Sequence, residues 1–349
     1  MKLGIICPSE IAYRRFMPAL RKCEGLSFAG LGVFAREELF GGRDMEDREF
    51  AELRRAEEEK AARFTAQYGG RIYDSYEAVV TAPEIDAVYL PLPPALHYRW
   101  ALEALEHGKH VLAEKPATLS LADSRSLVEA ADRRGLALHE NYMFAFHSQI
   151  QAIRDMIRGG EIGEVRLYRI AFGFPRRAAN DFRYNRALGG GALIDAGGYT
   201  IRFASDLLGP TARLRYAQMN RLPGDEVDMY GSAAMVNDEG VTAQLAYGMD
   251  NSYKCELEVW GSLGCLTTGR ILTAPDGFEP TVTIRKAAGD EVIRLPADDA
   301  FAKSIACFAE CARSAEARKR RYEIILRQAA LADEFRALAA AEEGRKPRA

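Results

Sequence analysis

The first residues with chemistry to offer stand in a turn, Cys7-Pro8-Ser9-Glu10-Ile11-Ala12, between an apolar stretch over residues 2–7 and a helix-favouring stretch over residues 11–23. A strand–turn–helix unit aims backbone N–H groups and the positive end of a helix dipole at whatever lies over the turn, which suits an anion. Dinucleotide-binding turns follow G-x-G-x-x-G/A, the glycines letting backbone approach a pyrophosphate. Here Cys7 and Ser9 stand at glycine positions, Glu10 adds a negative charge, and only Ala12 keeps to the pattern. Arg36 lies just past a second apolar stretch, residues 26–34. An acidic side chain there would hold the ribose 2′-hydroxyl of NAD, whereas a guanidinium pairs with the 2′-phosphate of NADP. Arg36 therefore points to NADP, with NAD as the alternative.

Three further patterns follow in order: AVYLPLPPALH with Pro93 and His97, GKHVLAEKP with Glu114 and Lys115, and GGGALIDAGGY with Asp195 and Tyr199. A phenol and an ammonium suit hydride chemistry. Oxidising an alcohol requires removal of the hydroxyl proton as hydride leaves carbon, and a tyrosine of ordinary pKa about 10 can take it if a cation draws that value down. Each unit of depression represents about 1.4 kcal/mol of differential interaction. Singly, Lys115 also reads as a loop charge, Asp195 as a helix cap and Tyr199 as a core aromatic. Together, in this order, the patterns resemble the Gfo/Idh/MocA oxidoreductases (glucose–fructose oxidoreductase, inositol dehydrogenase, rhizopine catabolism). The resemblance runs over essentially the whole chain, including HENYMFAFHSQ and VWGSLGCL.

The resemblance implies a Rossmann domain over residues 1–142 and an α+β domain over residues 143–349, whose large open-faced sheet serves substrate binding and oligomerisation. It implies catalytic roles for Lys115, Asp195 and Tyr199: the tyrosine as general acid/base, the lysine as its electrostatic partner, the aspartate as an orienting carboxylate. Many members carry histidine where Tyr199 stands, and tyrosine resembles the branch with glucose–fructose oxidoreductase, xylose dehydrogenases and dihydrodiol dehydrogenases. The cofactor is expected against Cys7, Ser9, Glu10, Ile11 and Ala12, against Arg36, and against Pro93, His97, Glu114 and Lys115. Substrate is expected at Tyr142, Asp195, Tyr199 and Arg183, the last within AANDFRYNRALGGG beside Arg177, Asn180 and Tyr184.

The elements that must position these residues alternate up to about residue 142: strands near 2–7, 26–34, 72–73, 87–90, 110–113 and 136–142, with helices between, Ser75 and Ser120 serving as caps. Such alternation predicts a doubly wound parallel sheet. Residues 37–68 read as a loop broken at Gly41-Gly42 and then a long charged helix. Afterwards VRLYRIAFGF, ARLRYAQMNRL, DMYGSAAMVND, GVTAQLAYGM, KCELEVWGS, GCLTTGRIL and TVTIRKA predict a mostly antiparallel sheet, flanked by helices, before a disordered EEGRKPRA tail.

The 349 residues suit two domains, and a net charge of -3 gives no cationic field for nucleic acid or an anionic membrane. Six cysteines, without a CxxC pair or a neighbouring histidine at zinc spacing, predict reduced thiols and no metal, and Cys307 and Cys311 read as core. With neither a signal-peptide core nor a membrane span, the expected location is the cytoplasm. The leading expectation is an NAD(P)-dependent dehydrogenase or reductase of a sugar, polyol or sugar derivative, working as a homodimer or homotetramer. Its alternatives are a non-catalytic nucleotide- or sugar-sensing protein of the same fold, and a dihydrodiol-type dehydrogenase.

Overall fold

The computed structural model describes residues 1–345, and the chain divides into two compact units: Met1–Asn141 with Phe301–Leu326, and Tyr142–Ala300 with the residues from Arg327 onward. The first unit is completed by a segment from far downstream, which a single sequence division at residue 142 does not express.

In the first unit, β1 (Lys2–Ile5), β2 (Ser27–Gly32), β3 (Arg71–Tyr73), β4 (Ala87–Leu90), β5 (His110–Ala113) and β6 (Leu138–Glu140) form an all-parallel sheet of order β3-β2-β1-β4-β5-β6. Such sheets are covered on both faces, which is why their strands read as unbroken apolar runs; all four residues of β4 are buried. The chain reverses direction across the sheet between β1 and β4, and ligands bind beyond the carboxyl ends of the strands at such a reversal. The helices are α1 (Met17–Leu20), α2 (Asp47–Tyr68), α3 (Tyr76–Thr81), α4 (Pro94–Glu106) and α5 (Leu121–Arg134). Ser75 Oγ accepts the Ala78 N–H at 2.9 Å and Ser120 Oγ that of Asp123 at 3.0 Å, as capping predicts. The helix expected over residues 11–23 instead opens with a π-helical turn, Ala12–Phe16. The reset to α geometry at Met17 puts Pro18 in a first turn, where its missing N–H costs little.

The second unit contains α6 (Ser148–Arg158), β7 (Val165–Gly173), α7 (Gly198–Leu208), β8 (Arg213–Asn220), β9 (Tyr230–Val236), β10 (Thr242–Gly248), β11 (Lys254–Gly261), β12 (Gly264–Gly269), β13 (Thr281–Lys286) and β14 (Gly289–Arg294). The sheet order is β14-β13-β12-β11-β7-β10-β9-β8, antiparallel except where β7 meets β10. Burial alternates along the central strands: Cys255, Leu257 and Val259 of β11 are buried and Lys254, Glu256 and Trp260 exposed. The buried face packs on α7, and the other stays bare. β14 escapes the sequence because only Val292 and Ile293 are apolar; it pairs with β13 through a two-residue turn at Ala287-Ala288 and is exposed over most of its length.

Two helices close the chain, α8 (Ala300–Arg313) and α9 (Ala315–Arg345). The expected disordered tail is helical as far as Arg345, and its last four residues lie outside the described part. Among the described residues, no helix is long and apolar enough to cross a membrane.

Candidate active site

The turn over residues 7–12 leaves the carboxyl end of β1. Ser9 caps the following helical turn, its Oγ accepting the Ala12 N–H at 3.2 Å and its carbonyl that of Tyr13 at 3.0 Å. Cys7 Sγ donates to the Pro91 carbonyl at 3.5 Å, and burial, reinforced by the Glu57 carboxylate, pushes its thiol well up. Ala12 is buried and Ile11 exposed. The negative charge of Glu10 is met by two guanidinium groups, Arg14 at 2.9 Å and Arg63 at 2.8 Å. Arg63 belongs to α2, so the long charged helix offsets the anion that the glycine-poor turn carries.

Past β2, Arg36 donates to the Met45 carbonyl at 2.7 Å and to Asp47 at 2.6 Å, and lies 4.5 Å over the Phe50 ring. These contacts hold a guanidinium at the end of β2. Glu38, close by, accepts backbone N–H groups from Ala35 (2.7 Å), Tyr76 (2.9 Å) and Glu77 (2.9 Å), which ties the end of the β2 segment to the first turn of α3. Glu57 of α2 accepts from the Tyr76 hydroxyl at 3.0 Å and from the Phe34 N–H at 3.3 Å, and burial pushes its carboxyl up to about 7. Sequence reasoning singled out neither acid, since both stand in polar stretches that read as solvated.

Lys115 follows β5 and is half-buried, joined to Pro116 by a cis peptide bond. Its neighbours are fixed. Glu114 Oε1 accepts from the Tyr89 hydroxyl and from Asn141 Nδ2, both at 2.7 Å, and burial raises its pKa. The Ala117 N–H donates to Glu140 at 2.8 Å. His97, fully buried, lies between the Pro116 carbonyl (Nδ1, 2.7 Å) and the Leu92 carbonyl (Nε2, 2.8 Å), and burial lowers its pKa against the pull of both. Pro93 immediately precedes α4, at its N-cap position. Glu114 and His97 are thus engaged inside the protein, where they brace the Lys115 segment.

In the second unit, Asp195 lies in a π-helical turn, Leu193–Gly197, which continues into α7 with Tyr199 four residues on. That spacing keeps both side chains near one face, and single π turns recur at functional sites. Arg183 Nε donates to Asp195 at 2.6 Å and its Nη1 to Asp181 at 3.1 Å. Burial works against the guanidinium charge, but the two carboxylates outweigh it and raise its pKa. Two of the three glycines before this turn are required by close approach: a Cβ at Gly190 would sit 2.3 Å from the Arg183 carbonyl, and one at Gly191, whose φ is 123°, would sit 2.5 Å from Asp228 Oδ1. Asp228 accepts the Leu193 N–H at 2.7 Å, its carbonyl accepts that of Ala192 at 2.8 Å, and burial pushes its carboxyl up to about 6. The sequence did not flag it.

Tyr199 is buried among aromatic rings, 5.2 Å from Tyr142, 5.8 Å from Phe144 and 5.3 Å from Phe172. Tyr142 is 2 % exposed, and its hydroxyl accepts from Gln328 Nε2 at 3.2 Å. The Tyr184 hydroxyl accepts the Arg177 N–H at 2.7 Å, while Arg177 and Asn180 are exposed.

A parallel sheet of this strand order, a capped turn with its acid neutralised, and a guanidinium past β2 fit a dinucleotide, and a tyrosine and carboxylate on one helical turn fit proton transfer. The chain belongs to the Gfo/Idh/MocA oxidoreductases: residues 26–142 match the oxidoreductase family with an NAD-binding Rossmann fold, and residues 150–267 match the GFO/IDH/MocA C-terminal domain. It is an NAD(P)-dependent oxidoreductase that moves a hydride between nicotinamide and a sugar or sugar derivative. Among its relatives is the dTDP-3,4-didehydro-2,6-dideoxy-alpha-D-glucose 3-reductase of Actinomadura kijaniata, 37% identical over 96% of this chain and 95% of that one. The reductase of the same name from Streptomyces violaceoruber is 43% identical over 74% of this chain and 75% of its own. The crystal structure of a 3-ketoreductase from Actinomadura kijaniata with NADP and TDP-benzene superposes with a TM-score of 0.87 at 36% identity, covering 97% of both chains.

Proposed function

We propose that this chain is an NADP-dependent reductase of a 3-keto sugar carried on thymidine diphosphate. What carries the reading is its similarity, over nearly the full length of both chains, to reductases named for that substrate. Further support comes from solved variants of the Actinomadura ketoreductase, which replace one lysine and one tyrosine separated by 84 residues, the separation of Lys115 and Tyr199 here.

Bound in the first unit, the reduced nicotinamide supplies the hydride that adds to the ketone carbon. Tyr199 gives its phenolic proton to the oxygen that becomes the hydroxyl, and Lys115 supplies the positive charge that favours the phenolate left behind. Asp195, held by Arg183, accepts from a sugar hydroxyl and orients the ring. Arg36 and the turn over residues 7–12 hold the dinucleotide, with Arg36 selecting the 2′-phosphate. Tyr142 supports the Tyr199 ring. Free thiols and an NADP-linked reaction go with residence in the cytoplasm.

We infer also that two copies pair through the bare face of the second-unit sheet. Arg169, Gln244 and Glu258 form a hydrogen-bonded row at its centre, flanked by the exposed rings of Trp260 and Tyr216.

The test is NADPH consumption with an enzymatically prepared dTDP-linked 3-keto sugar, set against the same sugar freed of its nucleotide, together with calorimetric titration of dTDP. Consumption with the nucleotide-linked ketone and binding of dTDP are expected. Equal rates with the free sugar and no dTDP binding would overturn the substrate assignment.

A further inference from the structure

Three donor side chains meet inside the first unit, apart from the groups described above. His139 is on β6, Cys307 and Cys311 lie one turn apart on α8, and one ligand atom from each lies within 4.8 Å of the other two. His139 and Cys311 are fully buried and Cys307 half-buried.

The hydrogen bonds around His139 fix its tautomer. Asn141 donates through Nδ2 to Glu114 at 2.7 Å, so its Oδ1 faces Ser304, whose hydroxyl donates to it at 2.8 Å. With its single proton used, Ser304 Oγ accepts from His139 Nε2–H at 3.0 Å. Nδ1 is then the ring nitrogen without a proton. This is the form in which histidine binds a metal, its other N–H held by an oxygen acceptor.

We propose that His139 Nδ1, Cys307 Sγ and Cys311 Sγ form a binding site for a thiophilic divalent cation of the zinc and cadmium type, with water as the fourth ligand. Two thiolates and an imidazole select such ions over magnesium or calcium, which prefer oxygen. A tetrahedral ion bonded at about 2.3 Å to sulfur and about 2.0 Å to nitrogen needs donors roughly 3.5 to 3.8 Å apart, so the set must contract by roughly 1.3 Å at most. Rotation of the cysteine side chains supplies such a movement, and the half-buried Cys307 offers the way in. As each sulfur–metal bond forms, that thiol releases its proton to solvent, and no electrons are transferred. The ion would tie α8 to β6 and stabilise the first unit.

The experiment uses the full chain kept reduced with a phosphine, and cobalt(II) and cadmium(II) chlorides as probes. One equivalent of cobalt(II) should give the visible absorption of a tetrahedral thiolate complex, lost on adding zinc(II), and cadmium(II) should raise the melting temperature. Cys307→Ala should abolish the absorption with an unchanged circular dichroism spectrum, Ser304→Ala should weaken cadmium(II) binding by about 10- to 100-fold, and Cys265→Ala should change neither. Because loss of the buried Cys311 also perturbs packing, Cys307→Ala carries the test. Absence of the absorption at one equivalent, or its survival in Cys307→Ala, overturns the site.

Discussion

Tyr199 is packed by rings: Tyr142, Phe144 and Phe172 lie edge-on or tilted against it, so a phenylalanine should keep that packing while it removes the hydroxyl. Tyr199→Phe is therefore expected to lower turnover about 100- to 10,000-fold while NADPH binding, measured by fluorescence titration, stays unchanged. Full activity in that variant would remove the tyrosine from the proton transfer. Glu57 gives a prediction of another kind. The folded protein holds its proton up to about pH 7, while an ordinary carboxyl releases it near 4.5, so the folded state binds more protons in that window and loses stability as pH rises across it. Glu57→Gln should raise the melting temperature at pH 8, by the equivalent of roughly 3 kcal/mol at most, and change it little at pH 4. Thermal denaturation at the two pH values decides it, and an equal effect at both would show that the charge is not the cause.

At the scale of elements, the segment that carries Asp195 and Tyr199 depends on a turn that admits no side chains. Gly191 combines a φ of 123° with a Cβ position 2.5 Å from Asp228 Oδ1, and Asp228 in turn holds the Leu193 N–H. Gly191→Ala should cost about 1 to 3 kcal/mol in backbone strain and, by displacing Asp228, lower kcat/KM with NADPH affinity retained. Parallel denaturation and kinetics check this, and a variant with normal stability and rate would show that the turn tolerates a side chain. Helix α2 is the other instructive element. Its charge is put to use: Arg63 on it meets Glu10, and Glu57 on it reaches the Phe34 N–H at the end of the β2 segment.

For the molecule as a whole, the bare sheet face sets the prediction. Trp260 is 53 % and Val292 63 % exposed on the face that carries the row of Arg169, Gln244 and Glu258. If two copies pair there, Trp260→Glu combined with Val292→Glu should yield a monomer by light scattering, with the dichroism of the parent retained. A parent chain that is already monomeric would end this reading without touching the proposed chemistry.

Periodicity pointed to a parallel sheet and, β14 excepted, to the strands of a mostly antiparallel one, because strands buried on both faces read as apolar runs and strands buried on one face alternate. The Ser75 and Ser120 caps were equally legible, since capping is a local bond between residues three apart. The EKP and GGGALIDAGGY motifs pointed to candidate residues through a family resemblance rather than through any period. Tertiary structure decided what those residues are attached to. The Arg183–Asp195 pair, the Asp228 support, the bracing of Lys115's neighbours by His97 and Glu140, and the meeting of His139 with two cysteines all join distant residues. A polar side chain leaves no period in sequence, and whether it is solvated or buried against a partner depends on packing that only the folded chain supplies.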